Sequence, residues 1–251
     1  MKRWERALVT GASAGLGEAY VRALAVHCEE IVVVARRADR LWALKEELAA
    51  HSRITVLCAD LAAVEGQARV VEAIRQGPAL GLLVNNAGFS TLGPFATSSL
   101  DFELGMIRTH EMATLSLTRA ALPAMINAGA GAVINVASIA AFLPMPSVAT
   151  YSATKSFLVS FSRSLRAELA ETALRVQCLC PGYTRTEIHS RETFATFDPS
   201  RVPDEYWMEP GEVVRESLET LWDGKDRWLL VPGDHNRETV RRALQELLGS
   251  C

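Results

Sequence analysis

The sequence predicts an α/β fold, a parallel β-sheet covered by helices on both faces. Three observations predict it. Strand-like and helix-like stretches alternate along the whole chain. The strand-like stretches are continuous apolar runs such as Ile31-Val32-Val33-Val34-Ala35, which suit a strand buried on both sides. The first strand leads through a glycine-rich turn into a helical pattern.

In order, residues 7–9 form a short apolar strand and 16–26 carry helical spacing. Residues 31–35 are the second strand and 41–50 a helix. Residues 54–58 are the third strand, followed by a helix over 64–75. Residues 82–84 are a strand ending at Asn85-Asn86-Ala87-Gly88. Two helices, about 97–109 and 111–128, precede a strand over 132–137. A long helix over 149–171 leads to a strand over 174–180. A final strand over 228–231 is followed by a helix over about 237–248. No internal repeat or composition break divides the chain, so residues 1–251 read as a single domain. The segment 187–209, with Phe194, Phe197, Pro199, Pro203, Tyr206 and Trp207 among charges, stands apart. It is expected to lie over the site as a lid; the competing reading is a long surface excursion.

Composition narrows the function classes. The 251 residues are 49% hydrophobic and 22% charged, as in soluble globular proteins. The net charge of −3 gives no basic footprint for nucleic acid. Residues 1–9 lack the longer apolar stretch of a secretory signal. The most apolar long window, 133–148, contains Asn135, Ser138, Pro144 and Pro146 and cannot be a clean membrane span. A soluble cytoplasmic protein is expected. The five cysteines include no C-x-x-C pair, Cys178 and Cys180 read as small core residues, and the five histidines lack ligand spacing. No metal site is expected.

The turn after the first strand reads Thr10-Gly11-Ala12-Ser13-Ala14-Gly15-Leu16-Gly17. Its glycines fall as G-x-x-x-G-x-G rather than G-x-G-x-x-G, but the physics is shared. Glycines let the backbone approach a pyrophosphate, and the following helix presents free N–H groups to an anion. The second strand ends Ala35-Arg36-Arg37, where an acidic residue would bind the ribose hydroxyls of NAD. Two guanidinium groups there favour the 2′-phosphate of NADP(H), since a planar donor fork suits phosphate. Ser13 can add a hydroxyl. Asp39 is expected to cap the next helix. Asp60-Leu61 follows the third strand, where the carboxylate can accept from the adenine amino group. Asn86, Ala87 and Gly88 follow the fourth, where small residues let backbone pass close to the cofactor and the Asn86 side chain can also bond a ribose. Ordinary strand-end turns share these compositions.

The strongest signal is Tyr151-Ser152-Ala153-Thr154-Lys155, with Tyr151 and Lys155 four apart on one helix face. Ser138 lies thirteen residues before Tyr151, past a strand end. Reducing a ketone needs a proton at the carbonyl oxygen as hydride reaches carbon. A tyrosine can supply it, but its free pKa is about 10. The Lys155 ammonium is expected to lower that value, and to hold the nicotinamide ribose. The Ser138 hydroxyl would orient the substrate oxygen. Phe89, Phe142, Leu143, Met145 and the aromatics of 187–209 suggest an apolar substrate pocket, although each also suits a core.

Thr10 to Gly17, Asp60, Asn85 to Gly88, Ser138, Tyr151 to Lys155 and Pro181-Gly182-Tyr183-Thr184-Arg185-Thr186 together resemble a short-chain dehydrogenase/reductase, over the chain up to about residue 186. The resemblance implies a doubly wound (Rossmann) sheet of about seven strands. It implies Tyr151 as general acid/base, and Pro181, Gly182, Thr184 and Thr186 on the nicotinamide side. It implies a small-molecule carbonyl or alcohol substrate and a homodimer or homotetramer packed through helices at 97–128 and 149–171. One position departs: the family's helix asparagine, which helps hold a proton-relaying water, falls on His110. Either the imidazole replaces the relay, or the backbone carbonyl carries the function, which is the preferred reading, or the relay is weakened. Two alternatives stand beside the oxidoreductase: a cofactor-binding regulatory protein with little turnover, and an epimerase of the same family.

Overall fold

The computed structural model describes residues 4–190, 197–225 and 227–250. Its strands are β1 Trp4–Thr10, β2 Cys28–Ala35, β3 Arg53–Cys58, β4 Leu82–Asn85, β5 Ala132–Val136, β6 Arg175–Leu179 and β7 Leu229–Leu230. Its helices are α1 Gly15–Leu24, α2 Ala38–Leu48, α3 Val64–Gln76, α4 Leu100–Ile107, α5 Ala113–Ala128, α6 Ala149–Glu168, α7 Pro210–Trp222 and α8 Asp234–Gly249. The seven strands form one parallel sheet in the order β3-β2-β1-β4-β5-β6-β7. The expected doubly wound architecture is therefore the one found.

The continuous apolar runs explain why both faces are covered. Ala7 and Val9 of β1 and Ile31 and Val33 of β2 share one face with Tyr20, Val21 and Leu24 of α1 and Leu218 of α7. The intervening Leu8, Val32 and Val34 share the other with Val70 and Ile74 of α3 and Leu117 and Ala121 of α5. Pairing of Leu8 with Val32 and Val9 with Val33 sets this register. A one-residue slip would exchange the two faces.

The chain leaves the sheet differently on either side of β1. β2 and β3 lie to one side, β4 to β7 to the other. A crevice opens at the carboxyl ends of β1 and β4, where the winding reverses.

Several boundaries differ from expectation. The helix expected over 97–109 begins at Leu100, after a 3₁₀ turn at Phe95–Thr97. The expected break near 110 is absent. A π turn, Arg108–Met112, joins α4 to α5, so residues 100–128 are one helical run. A π turn carries one extra residue, so the apolar periodicity slips there and mimics an interruption. α1 ends at Leu24, where the His27 N–H bonds the Leu24 carbonyl and turns the chain toward β2. α6 ends at Glu168, with the Thr172 hydroxyl donating to the Leu169 carbonyl just beyond it. α8 starts three residues early because Gly233, at φ 79°, turns the chain so that the Arg237 N–H reaches the Gly233 carbonyl. Asp39 is not a cap: Arg37 takes the N-cap position of α2 with no side-chain cap bond, and Asp39 sits in the first turn.

Candidate active site

The crevice is held by Thr10. Its hydroxyl donates to the Val84 carbonyl at 3.2 Å and accepts from the backbone N–H groups of Asn86 and Ala87, each at 2.9 Å. The Asn86 amide donates to the Thr10 carbonyl at 2.8 Å, tying it to the backbone rather than leaving it open toward a ribose. Close approach explains the glycines. A Cβ on Gly17 would lie 2.2 Å from the Gly11 carbonyl oxygen. Gly11, at φ +67°, also has no room beside Asn86 and Ala87. The loop therefore brings bare backbone and the N-terminus of α1 to the floor of a cleft of about 450 Å³.

At one end of the cleft lie Ser13, Ala14, Arg36, Arg37, Asp60 and Leu61. Arg37 donates from Nε and Nη2 to the Ser13 hydroxyl at 3.2 and 3.1 Å, and from Nη1 to Glu187 at 2.7 Å. Arg40 donates to the other Glu187 oxygen at 2.5 Å. Arg40 and Glu187 were not singled out in the sequence. Arg40 looks like any solvated helix charge, and Glu187 arrives from 150 residues away. Asp60 accepts from the Ala62 N–H at 2.9 Å. A Cβ on Gly66 would lie 1.9 Å from the Asp60 carbonyl oxygen, so α3 packs directly on this turn.

At the other end lie Ser138, Tyr151, Lys155 and Gly88. Ser138 follows β5 and caps a 3₁₀ turn, its Oγ accepting from the Ala140 N–H at 3.2 Å. Its hydroxyl donates to the Pro181 carbonyl at 3.4 Å and lies near the Tyr151 phenol. Tyr151 and Lys155 project from one face of α6. The Lys155 ammonium donates to the Val136 carbonyl at 2.8 Å and lies 5.5 Å from the centre of the Tyr151 ring.

The electrostatics differ from expectation. Burial pushes the Tyr151 phenol above its ordinary pKa, opposed by the nearby Ser138 hydroxyl. Burial pushes Lys155 itself down to about 8. Desolvation outweighs the ammonium, which is turned toward a carbonyl.

His110 is buried in the π turn. Its Nε2 accepts from the Phe89 N–H at 3.1 Å, and its Nδ1 lies 2.7 Å from the Thr154 hydroxyl. Thr154 itself donates to the Tyr151 carbonyl at 2.8 Å, so its oxygen accepts from Nδ1–H. This assigns a neutral imidazole with both nitrogens engaged. Burial, then the nearby Lys155 charge, hold its pKa well below the ordinary value. A ring so occupied has no nitrogen left for a water relay. Thr154, inside the recognised motif, was not read as part of the site; only the fold pairs it with His110. Beneath this end, buried Asn85 donates to Thr118 and Asn135, and Asn135 donates to Ser162, binding β4, β5, α5 and α6 together.

Pro181, Gly182, Thr184 and Thr186 line the same cleft. Phe89, Leu143, Met145 and Phe197 line its apolar part, whereas Phe142 packs against the core with Ala137 and Leu158. Of the segment 187–209, residues 191–196, including Phe194, lie outside the described residues. Trp207 packs against Tyr183 and Phe197, and Tyr206 stacks on His235 at 3.7 Å. Among the described residues no group of His, Cys, Asp and Glu is placed to hold a metal.

Comparison with known proteins gives a consistent picture. A family model described as short chain dehydrogenase matches residues 5–195. A dehydrogenase/reductase SDR family protein 7-like of Drosophila melanogaster is 33% identical over 190 residues, 72% of this chain but 57% of that protein. The chain thus spans little over half the length of this curated relative. An NADP-dependent 3-hydroxy acid dehydrogenase of Salmonella typhi is 38% identical over 180 residues, covering 70% of this chain and 71% of its own. A solved short-chain dehydrogenase from Sphingobium yanoikuyae in complex with NADPH superposes with a TM-score of 0.85 at 30% identity, covering 98% of this chain and 96% of its own.

Proposed function

The chain belongs to the short-chain dehydrogenase/reductase family, and on that premise we propose that it transfers a hydride between NADP(H) and a small-molecule carbonyl/alcohol pair, with Tyr151 as general acid/base. One observation carries the proposal. Ser138, Tyr151 and Lys155 line the same cleft whose far end is the glycine loop and its arginines.

The residues fit the cofactor. Gly11 and Gly17 leave backbone where side chains would intrude, and Arg36, Arg37 and Ser13 lie where a 2′-phosphate would sit. The NADP-dependent Salmonella relative and the NADPH-bound Sphingobium structure support this choice. Ala14, Gly15 and Leu16 would hold the pyrophosphate, Asp60 and Leu61 would take the adenine side, and Ala87 and Gly88 the ribose side. Pro181, Gly182, Thr184 and Thr186 border the nicotinamide. The bound cofactor supplies or accepts the hydride.

The chain's own residues do the rest. Ser138 orients the substrate oxygen and steadies its developing charge. Tyr151, kept protonated by burial, gives its phenolic proton to that oxygen in reduction. Lys155, now donating to the Val136 carbonyl, would hold the nicotinamide ribose and place a partly titrating amine near the phenol. The His110 backbone carbonyl serves the proton path while its ring braces the site. Phe89, Leu143, Met145 and Phe197 favour a substrate with an apolar body, and Glu187 and Phe197 of the expected lid segment border the cleft.

All 251 residues work as one unit, within a cytoplasmic homodimer or homotetramer. Phe102, Met112, Leu115 and Ile126 expose large apolar surface on α4, the π turn and α5, as a helix-packed interface requires. No described helix is long and apolar enough to cross a membrane.

The test is a panel of ketones, aldehydes and alcohols assayed with NADPH and with NADH, using the chain and its Tyr151→Phe variant. Turnover with NADPH, falling about 10²- to 10⁴-fold in the variant, is expected. Cofactor binding without turnover on any panel member, or full activity in the variant, would refute the reading.

A further inference from the structure

The anion site at the end of the cleft already holds an anion from the chain itself. The Glu187 carboxylate receives Arg37 on one oxygen at 2.7 Å and Arg40 on the other at 2.5 Å. These two guanidiniums hold its pKa below the ordinary glutamate value. Arg37 is the same side chain that binds Ser13 of the glycine loop. The carboxylate thus marks where two cationic forks converge.

We infer that Glu187 is an internal competitor for the 2′-phosphate, sitting on the Arg37–Arg40 pair and tuning how strongly NADPH is preferred over NADH. The inference rests on the NADP(H) reading above, and it adds Arg40 to the phosphate site.

Two features make the carboxylate displaceable. All three side chains are more than one third exposed, so Glu187 can swing into water without leaving a buried charge. An exposed pair of this kind is worth little by itself. A 2′-phosphate carries more negative charge and offers three acceptor oxygens to the same forks. A ribose hydroxyl, as in NADH, has no charge with which to displace the glutamate. The apparent affinity for NADPH is therefore reduced by the fraction of molecules in which Glu187 holds the arginines, and NADH affinity is not. Glu187 also follows directly on Thr186, which lines the cleft. Phosphate capture at the adenine end thus frees the first residue of the segment leading away from the nicotinamide loop.

The experiment measures Kd by calorimetry for NADPH, NADH and the fragment 2′,5′-ADP, with the full chain and its Glu187→Gln, Glu187→Ala and Arg40→Gln variants. Both glutamate variants should bind NADPH and 2′,5′-ADP about three- to tenfold more tightly, raising the NADPH:NADH affinity ratio by the same factor. Arg40→Gln should weaken both phosphate ligands, and removing Glu187 in its background should give a smaller gain. A wild-type preference for NADPH with a ratio unmoved in both glutamate variants overturns the competitor and leaves the cofactor reading intact. A wild-type chain that binds neither 2′,5′-ADP nor NADPH better than NADH overturns both.

Discussion

His110 and Thr154 share a 2.7 Å hydrogen bond, and through it the π turn is fastened to the helix that carries Tyr151 and Lys155. The other ring nitrogen holds the Phe89 backbone, so one imidazole spans the turn after β4 and the start of α6.

A stability signature follows. His110 is held neutral when folded, its pKa well below the ordinary value, while the unfolded chain takes up a proton near pH 6.5. The unfolded state then binds more protons, and stability is lost as pH falls below that point. The wild type should lose more stability than His110→Asn as pH falls below about 6.5, measured by urea unfolding. Parallel curves for the two proteins would show that the ring is not held neutral.

Lys155 gives the same sign at the alkaline end of the scale. Its folded pKa is about 8, while the unfolded amine stays charged to about 10.4. Between those values the unfolded chain holds a proton that the folded chain lacks, so this group's contribution to stability rises with pH. Below about 8 both forms are charged and the cost of burial is at its greatest. Relative to Lys155→Met, the wild type should gain on the order of 3 kcal/mol between pH 7.5 and 10.5. A pH-independent difference would mean the amine is not desolvated. The variant should also lose turnover at every pH.

Gly88 tests how tightly the reacting end is built. A Cβ there would lie 2.8 Å from His110 Nε2 and 3.7 Å from Lys155 Nζ. Gly88→Ala should separate the Phe89 turn from the imidazole and lower kcat about 10- to 100-fold, with far-UV circular dichroism unchanged. Unaltered kcat would show that the contact plays no part in positioning.

The fold was legible because the apolar runs of β1, β2 and β4 and the helical spacing between them are local properties. Tyr151 and Lys155 were legible because one helix turn places them side by side, and Ser138 because it ends a strand. What the spacing could not show depends on burial or on distant partners. Burial decides the sign of the Tyr151 shift, and no sequence interval reports it. Glu187 reaches Arg37 from the far side of the chain, and Thr154 acquires a partner only when the π turn brings His110 beside it. The boundary near residue 110 was misplaced for a related reason, since an added residue in the winding imitates a stop.

That added residue makes the length of the 108–112 segment as consequential as its composition. Deleting one of its five positions would let residues 100–128 close into ordinary α winding, which keeps the downstream helix facing the sheet because the π turn had absorbed the extra residue. Leu117 and Ala121 would stay on the sheet, and what would be lost is the wide turn that holds the imidazole between Phe89 and Thr154. A single-residue deletion in this segment would therefore strike the site while sparing the packing of the sheet.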